Sequence, residues 1–262
     1  MPTQQMKFRF LQTGKLAAAE NMAIDEAVLE NVASGESAPT LRLYGWSPAA
    51  VSIGYFQSLE EEIDLMACKR YGIDFVRRQT GGGAVFHDQE ITYSIHIPEA
   101  AALVPSGILE SYAKICGGII KGLAKFGLDA KFVPLNDIAV KRGEIFKKIS
   151  GNAQTRKKGV ILQHGTILLK VDVDKMFEIL KVPSEKLKGK MIENVKQGVV
   201  GLNNAAGREI SFDEALDALK SGFEEEFSNC TFEMGALGKN EKSLAQKLKK
   251  EKYIADTWNK QR

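Results

Sequence analysis

A chain of 262 residues, 44% hydrophobic and 26% charged, has an ordinary globular composition and enough apolar surface for one large domain or two small ones. A formal net charge of +3 is too slight to indicate nucleic acid, and no signal core or membrane-span-length stretch occurs, so a cytoplasmic soluble protein is expected. Cys68, Cys116 and Cys230 lie far apart, which excludes a zinc spacing and suits a reducing compartment.

No repeat or low-complexity linker divides the chain. It opens with a short strand and a helix over "AAAENMAIDEAVLENVA". "TLRLYGW" and "AVSIGYF" read as strands separated by the turn signal "SPA". "LEEEIDLMACKRYG" reads as one helix ending at Gly72, with acids early and bases late. "DFVRR" is a strand, Gly81-Gly82-Gly83 a turn, and "AVFH" the start of the next strand. In "ITYSIHIP" the apolar Ile91, Tyr93, Ile95 and Ile97 alternate with Thr92, Ser94 and His96, the period of a half-buried strand. Ile108, Tyr112, Ile115, Ile119, Leu123 and Phe126 mark an amphipathic helix, whose Gly117 and Gly118 suggest close packing on a sheet. Strands "AKFV", "DIAV", "KKISGNAQTR" and "GVILQHGTILLKV" follow, then helices from about residue 173 to the end. Mixed order without strict alternation predicts an α+β domain, with a mixed, largely antiparallel sheet flanked by helices.

The glycine triplet is followed by a strand and not by a helix, which excludes a Walker or dinucleotide loop. It reads either as a plain hairpin turn or as a bare backbone against which a ligand lies, with Arg77 and Arg78 as an anion fork. In "NDIAVKRGEIFKKISGNAQTRKKGVILQHGTILL", Asn136, Asp137, Lys148, Ser150, Gly151 and His164 come from neighbouring strands, as a polar cleft requires. Each also has a plainer reading: Lys148 in a solvated basic run, Asp137 in a turn, and His164 in the core beside Leu162 and Leu168.

Together, "RRQTGGGAVFHD", "NDI", "KKISGNA" and "HGTILL", with "NMAIDEA", "SIGYFQ", "LKVPSEKL" and "KYIADTWN", resemble the lipoate–protein ligase A family over nearly the whole chain. The resemblance implies a biotin/lipoate protein ligase-like catalytic domain spanning residues 1–262, cytoplasmic, without the C-terminal accessory domain of full-length ligases. It implies ATP and Mg2+ as cofactors, lipoate as substrate, and a lipoyl-AMP intermediate. The acceptor would be a lipoyl-carrier domain or a glycine-cleavage H-type protein, and a separate accessory subunit would assist. Lys148 would be catalytic, stabilising charge on the acyl carbonyl and phosphate. Arg78, Gly81, Gly82, Gly83 and Ala84 would line the acyl-adenylate groove, with His87 closing its end. Asn136 and Asp137 would serve the adenylate and Mg2+ side, and Ser150, Gly151, Ala153, His164 and Gly165 the remaining walls.

The rival within the superfamily is an octanoyl- or lipoyltransferase, which takes the acyl group from a carrier through a cysteine thioester without ATP. "QTRKKGVILQHG", and Gly198 and Gly201 in "VKQGVVGLNN", stand closer to that branch. The segment "FVPLNDIAV", where such a thiol is needed, has no cysteine, which favours the ligase. A third reading is a non-catalytic lipoate binder; retention of Lys148, Asn136 and Asp137 argues against it.

Overall fold

Runs rich in β-branched and aromatic residues become strands throughout the computed structural model, which describes residues 5–182 and 185–262. Residues 183 and 184, within the "LKVPSEKL" stretch, lie outside the described residues. The strands of the first half are β1 (Met6–Leu16), β2 (Thr40–Trp46), β3 (Ala50–Ile53), β4 (Asp74–Arg77), β5 (Val85–His87) and β6 (Glu90–Pro98). Those of the second half are β7 (Ala130–Val133), β8 (Asp137–Arg142), β9 (Ile145–Lys157), β10 (Val160–Leu168) and β11 (Cys230–Met234). The α-helices are α1 (Ala18–Ala33), α2 (Leu59–Glu62), α3 (Leu65–Tyr71), α4 (Ile108–Ala124) and α5 (Val173–Ile179). They continue with α6 (Glu185–Gly198), α7 (Leu202–Ala206), α8 (Phe212–Glu226), α9 (Lys239–Leu248) and α10 (Asp256–Asn259).

Eight strands form one sheet in the order β11-β1-β2-β6-β10-β9-β8-β7, and a smaller sheet has the order β4-β3-β5. In the large sheet only β11–β1 and β1–β2 pair in parallel, so it is mixed and largely antiparallel, as expected. One core joins Ile91, Tyr93, Ile95 and Ile97 of β6 to α4 and α8; another joins Tyr44, Val160 and Leu162 to α1. No helix among the described residues is long and apolar enough to cross a membrane.

Four local readings differ from the structure. The expected single helix over residues 59–72 is two, interrupted where Ile63 bridges to Leu180 and Asp64 caps α3 by accepting from the Met66 and Ala67 amides, both at 2.9 Å. The expected all-helical C-terminal part contains β11, which extends the sheet beside β1 with Met6 opposite Cys230. Close packing at the glycines of α4 is against a helix, not a sheet: a Cβ on Gly118 would stand 2.5 Å from the Phe223 ring. Finally, β6 is buried on both faces from Glu90 to Ile97. Its polar face lies beneath α1, where Ser94 Oγ donates to Asp25 Oδ1 at 2.8 Å and His96 Nε2 donates to the Asp25 carbonyl at 3.0 Å. Internal partners replace water on that face, which is why an alternating pattern survives in a fully buried strand.

Candidate active site

A groove of about 190 Å3 opens between the glycine loop with its small sheet and the β9–β10 pair. Among the residues expected at the site, Arg78, Gly82, Gly83, Ala84 and His87 line it from the loop side. Asn136, Lys148, Gly151, Ala153, His164 and Gly165 line it from the strands. Gly81, Asp137 and Ser150 stand off the lining, and Asp137 reaches it through Lys148.

The glycine loop is held from within. Arg78 Nε donates to Thr80 Oγ1 at 3.1 Å, and Nη1 to the Ser52 carbonyl and Oγ at 3.0 and 3.1 Å. Nη2 donates to the carbonyls of both Gly81 and Gly83 at 2.8 Å. Burial lowers the Arg78 pKa to about 10, and its fork is taken up by the loop. Arg77 is occupied likewise: it donates to the carbonyls of Gly54, Tyr55, Gln57, Trp258 and Asn259, tying the C-terminal α10 to the base of the loop. The two arginines therefore shape the loop where the sequence offered an anion fork. Gly82 has φ +95°, and a Cβ on Gly54 would stand 2.0 Å from the Gly82 carbonyl, so both positions need glycine. A Cβ on Gly83 meets no protein atom within 4 Å, which leaves the groove open beside it.

The polar end is built on a bulge. Ser150 pairs with Ile138 and Lys148 with Ala139, leaving Ile149 as the extra residue of β9. The Lys148 ammonium lies 2.8 Å from Asp137 Oδ1, an ionic contact without hydrogen-bond geometry. A Cβ on Gly151 would stand 3.1 Å from Lys148 Nζ, so the glycine makes room for that arm. Asn136 and Asn152 clamp each other: Asn136 Nδ2 donates to the Asn152 carbonyl at 2.6 Å, and Asn152 Nδ2 to the Asn136 carbonyl at 2.8 Å. Ser150 is fully buried and its Oγ has no partner. Gly165 is required by the same cluster, because a Cβ there would lie 2.1 Å from Asn152 Oδ1.

Two histidines sit in buried polar chains. His87 stacks on Trp46 with centroids 4.0 Å apart; its Nε2 lies 2.7 Å from Ser52 Oγ and its Nδ1 2.7 Å from Glu90 Oε1. His164 Nε2 lies 2.7 Å from Thr80 Oγ1, and its Nδ1 3.7 Å from Asp25 Oδ2. With Thr80 Oγ1 accepting from Arg78, we assign the Thr80 hydroxyl as donor to His164 Nε2, which puts the ring proton on Nδ1 facing Asp25. Burial lowers the His164 pKa and Asp25 opposes the shift, so the ring is neutral at pH 7. Burial also opposes the charge of Asp25, but Arg42, followed by His164 and His96, holds its carboxyl well below the usual range. Sequence reading missed Ser52, Gly54, Thr80 and Asn152 as parts of the site, and Asp25 as its support. All five fall inside or beside motifs already noticed, but nothing in the one-dimensional pattern marks them as partners.

No group of three or more His, Cys, Asp and Glu side chains among the described residues is placed to hold a metal ion. The Asp137 carboxylate expected to bind Mg2+ faces the Lys148 ammonium at 2.8 Å.

Residues 17–224 match the sequence profile of the lipoyl protein ligase A/B catalytic domain. The chain is 42% identical over 271 residues to the octanoyltransferase LipM of Anoxybacillus flavithermus, covering 96% of this chain and 97% of that protein. It is 38% identical over 278 residues to the octanoyltransferase LipM of Bacillus subtilis, covering 99% and 100%. Among solved structures, a bi-partite lipoate protein ligase from Thermoplasma acidophilum superimposes with TM-score 0.86 at 32% identity, over 98% of this chain and 96% of that one. A lipoate-protein ligase A bound with ATP gives 0.81 at 31%, over 97% and 98%. These relatives correct the expectation of an ATP-dependent ligase, because the curated proteins that match at about 40% along their whole length are octanoyltransferases. The expectation rested on the absence of a cysteine from "FVPLNDIAV", which outweighed the transferase-like "QTRKKGVILQHG" and the bare "VVGLNN". The chain belongs to the lipoyl protein ligase A/B catalytic domain family.

Proposed function

We propose that this protein is an acyltransferase that moves an octanoyl group from a carrier thioester to a lysine of a lipoyl-carrier domain, without ATP. The observation that carries this reading is the full-length likeness to octanoyltransferases, at 42% identity over 96% of the chain. The groove is consistent with it. Each methylene of a buried acyl chain contributes about 0.8 kcal/mol, and a narrow channel walled by Gly83, Ala84 and Val85 suits a slender tail. Lys148 at the polar end would face the acyl carbonyl and stabilise negative charge as it develops. Lipoate shares the carboxyl-terminated chain, and a related structure from Thermoplasma acidophilum is recorded with bound lipoic acid, so this groove would accept lipoyl groups also. A net charge of +3 would favour encounter with an acidic acceptor domain.

The test is incubation with an octanoyl-carrier-protein thioester and an apo lipoyl domain, followed by the intact mass of the acceptor. Gain of one octanoyl group by the acceptor, lost in Lys148→Ala, is the expected result. Absence of transfer from the thioester would overturn the reading.

A further inference from the structure

Residues 252–259 hold two walls of the groove from a distant part of the sequence. On one side they grip α1. Lys252 Nζ donates to Glu26 Oε2 at 2.7 Å and to Oε1 at 3.0 Å, and the buried Tyr253 hydroxyl donates to Oε2 at 2.6 Å. Glu26 stands one helical turn beyond Met22, which lines the groove. On the other side they grip β4, the strand that leads into the glycine loop. The Arg77 amide donates to Asn259 Oδ1 at 2.8 Å, Arg77 Nη2 to the Asn259 carbonyl at 2.8 Å, and Trp258 Nε1 to the Arg77 carbonyl at 2.9 Å. The two grips are joined within the segment. Asn259 Nδ2 donates to the Tyr253 carbonyl at 2.9 Å, and the Lys252 ammonium lies 4.0 Å from the centroid of the Trp258 ring.

From Arg77 the contact passes on to the loop. Its Nη1 donates to the carbonyls of Gly54, Tyr55 and Gln57, and the Tyr55 amide donates to the Thr80 carbonyl at 2.9 Å. Gly54 meets the Gly82 carbonyl too closely to carry a Cβ. Arg77 is fully buried, and all five acceptors of its side chain are backbone carbonyls. Neutral carbonyls offset the desolvation of a buried cation only in part, so the arrangement is a poor source of stability. What the planar fork supplies is position, since it fixes three separate chain segments relative to one another.

Resting on the transferase reading, we propose that residues 252–259 are a brace that sets the width of the acyl groove, with Trp258 and Asn259 as positioning residues for binding of the acyl donor. Neither residue lines the groove. They act through Arg77 on the glycine loop, while Lys252 and Tyr253 act through Glu26 on α1. Loosening the brace lets Gly82 and Gly83 part from the wall that carries Met22, and an acyl chain between them loses dispersion contacts along its length. Lys148 lies on β9 and meets Asp137 of β8 and Val199, outside the braced walls, so charge stabilisation at the carbonyl is left in place. Weaker donor binding with the chemical step preserved is the signature.

The test measures steady-state octanoyl transfer by the full chain in wild type, Asn259→Ala and Trp258→Phe, at a temperature where melts show each protein folded. Trp258→Phe keeps an aromatic ring and removes only the Nε1 donor. Gly118→Ala, crowded against the Phe223 ring in the α4–α8 contact, serves as a protein destabilised away from the groove. Asn259→Ala is expected to raise KM for the octanoyl-carrier thioester about 10-fold and Trp258→Phe about 3-fold, with kcat within about 2-fold and KM for the acceptor domain unchanged. Gly118→Ala is expected to leave both KM values at the wild-type level. A wild-type donor KM in the two brace variants, however much their stability falls, would overturn the brace and leave the transferase reading standing. A donor KM raised equally in Gly118→Ala would do the same. No transfer by the wild type would overturn both. Trp258→Phe decides the matter where Asn259→Ala fails to fold.

Discussion

The Lys148 ammonium and the Asp137 carboxylate stand 2.8 Å apart with 43% and 32% of their side-chain surface exposed, and the carboxylate turns its buried Oδ1 toward the lysine at the polar end of the groove. An exposed ion pair contributes at most about 1 kcal/mol to folding. Its presence on a bulged strand, with Gly151 clearing space for the lysine, therefore fits chemistry better than stability.

Lys148→Ala should lower the transfer rate roughly 10²–10³-fold, the cost of losing one charge that stabilises an oxyanion. Its unfolding free energy should change by less than about 1 kcal/mol. Steady-state rates and urea melts on the same preparation check both halves.

Arg78 should behave in the opposite way. Removing its guanidinium leaves the carbonyls of Ser52, Gly81 and Gly83 without their donors in a buried loop. Arg78→Met should cost about 2–4 kcal/mol of stability, and Arg78→Lys should not restore it, because an ammonium cannot span the same acceptors. A higher KM for the acyl donor should accompany the loss, read from melts and kinetics together.

The buried network under α1 predicts acid sensitivity. Burial lowers the His96 pKa from 6.5 to about 4, with its Nε2–H held by the Asp25 carbonyl and Nδ1 unpartnered. Between those values the unfolded chain binds a proton that the folded chain does not, so stability falls as pH drops from about 6.5 to 4, by about 3 kcal/mol for this group. His164, lowered in the same direction, adds to the loss. Asp25, held low when folded, withdraws its contribution only further down, as pH falls from the ordinary carboxylate range through its folded pKa. Urea melts across pH 7 to 4 should show this slope in wild type and a shallower one in His96→Gln.

The two neighbouring glycines of α4 should respond with opposite signs. A Cβ on Gly118 would stand 2.5 Å from the Phe223 ring, within the packed α4–α8 contact, whereas one on Gly117 would meet the movable Glu226 carboxylate at 2.6 Å. Gly118→Ala should destabilise by about 1–3 kcal/mol even after its helix-propensity gain. Gly117→Ala should be neutral or stabilising by up to about 1 kcal/mol, measured by thermal melts.

The sheet was legible because its strands carry strong β-branched and aromatic patterns, and the site because its motifs are short and contiguous. What stayed hidden was partnership. Thr92, Ser94 and His96 have the spacing of a wet strand face, but Asp25 on α1 partners Ser94 and His96, and Trp46 and Glu90 partner Thr92, so that face is buried. Arg78 in sequence is a cation beside a glycine loop, and only the fold shows its nitrogens engaged by that loop. Cys230 opens the strand "CTFEM", which lacks a β-branched apolar pattern and finds its place by pairing with β1 from the far end of the chain. The choice between ligase and transferase went astray on one segment, because the missing cysteine of "FVPLNDIAV" was weighed above the transferase-like "QTRKKGVILQHG".

The most direct measurement offers the acceptor domain two donors in parallel: octanoyl-carrier thioester with ATP omitted, and free octanoate or lipoate with ATP and Mg2+. Acceptor acylation from the thioester alone, with no AMP formed in the second arm, is the predicted result. Acylation that appears only with ATP and releases AMP would contradict it.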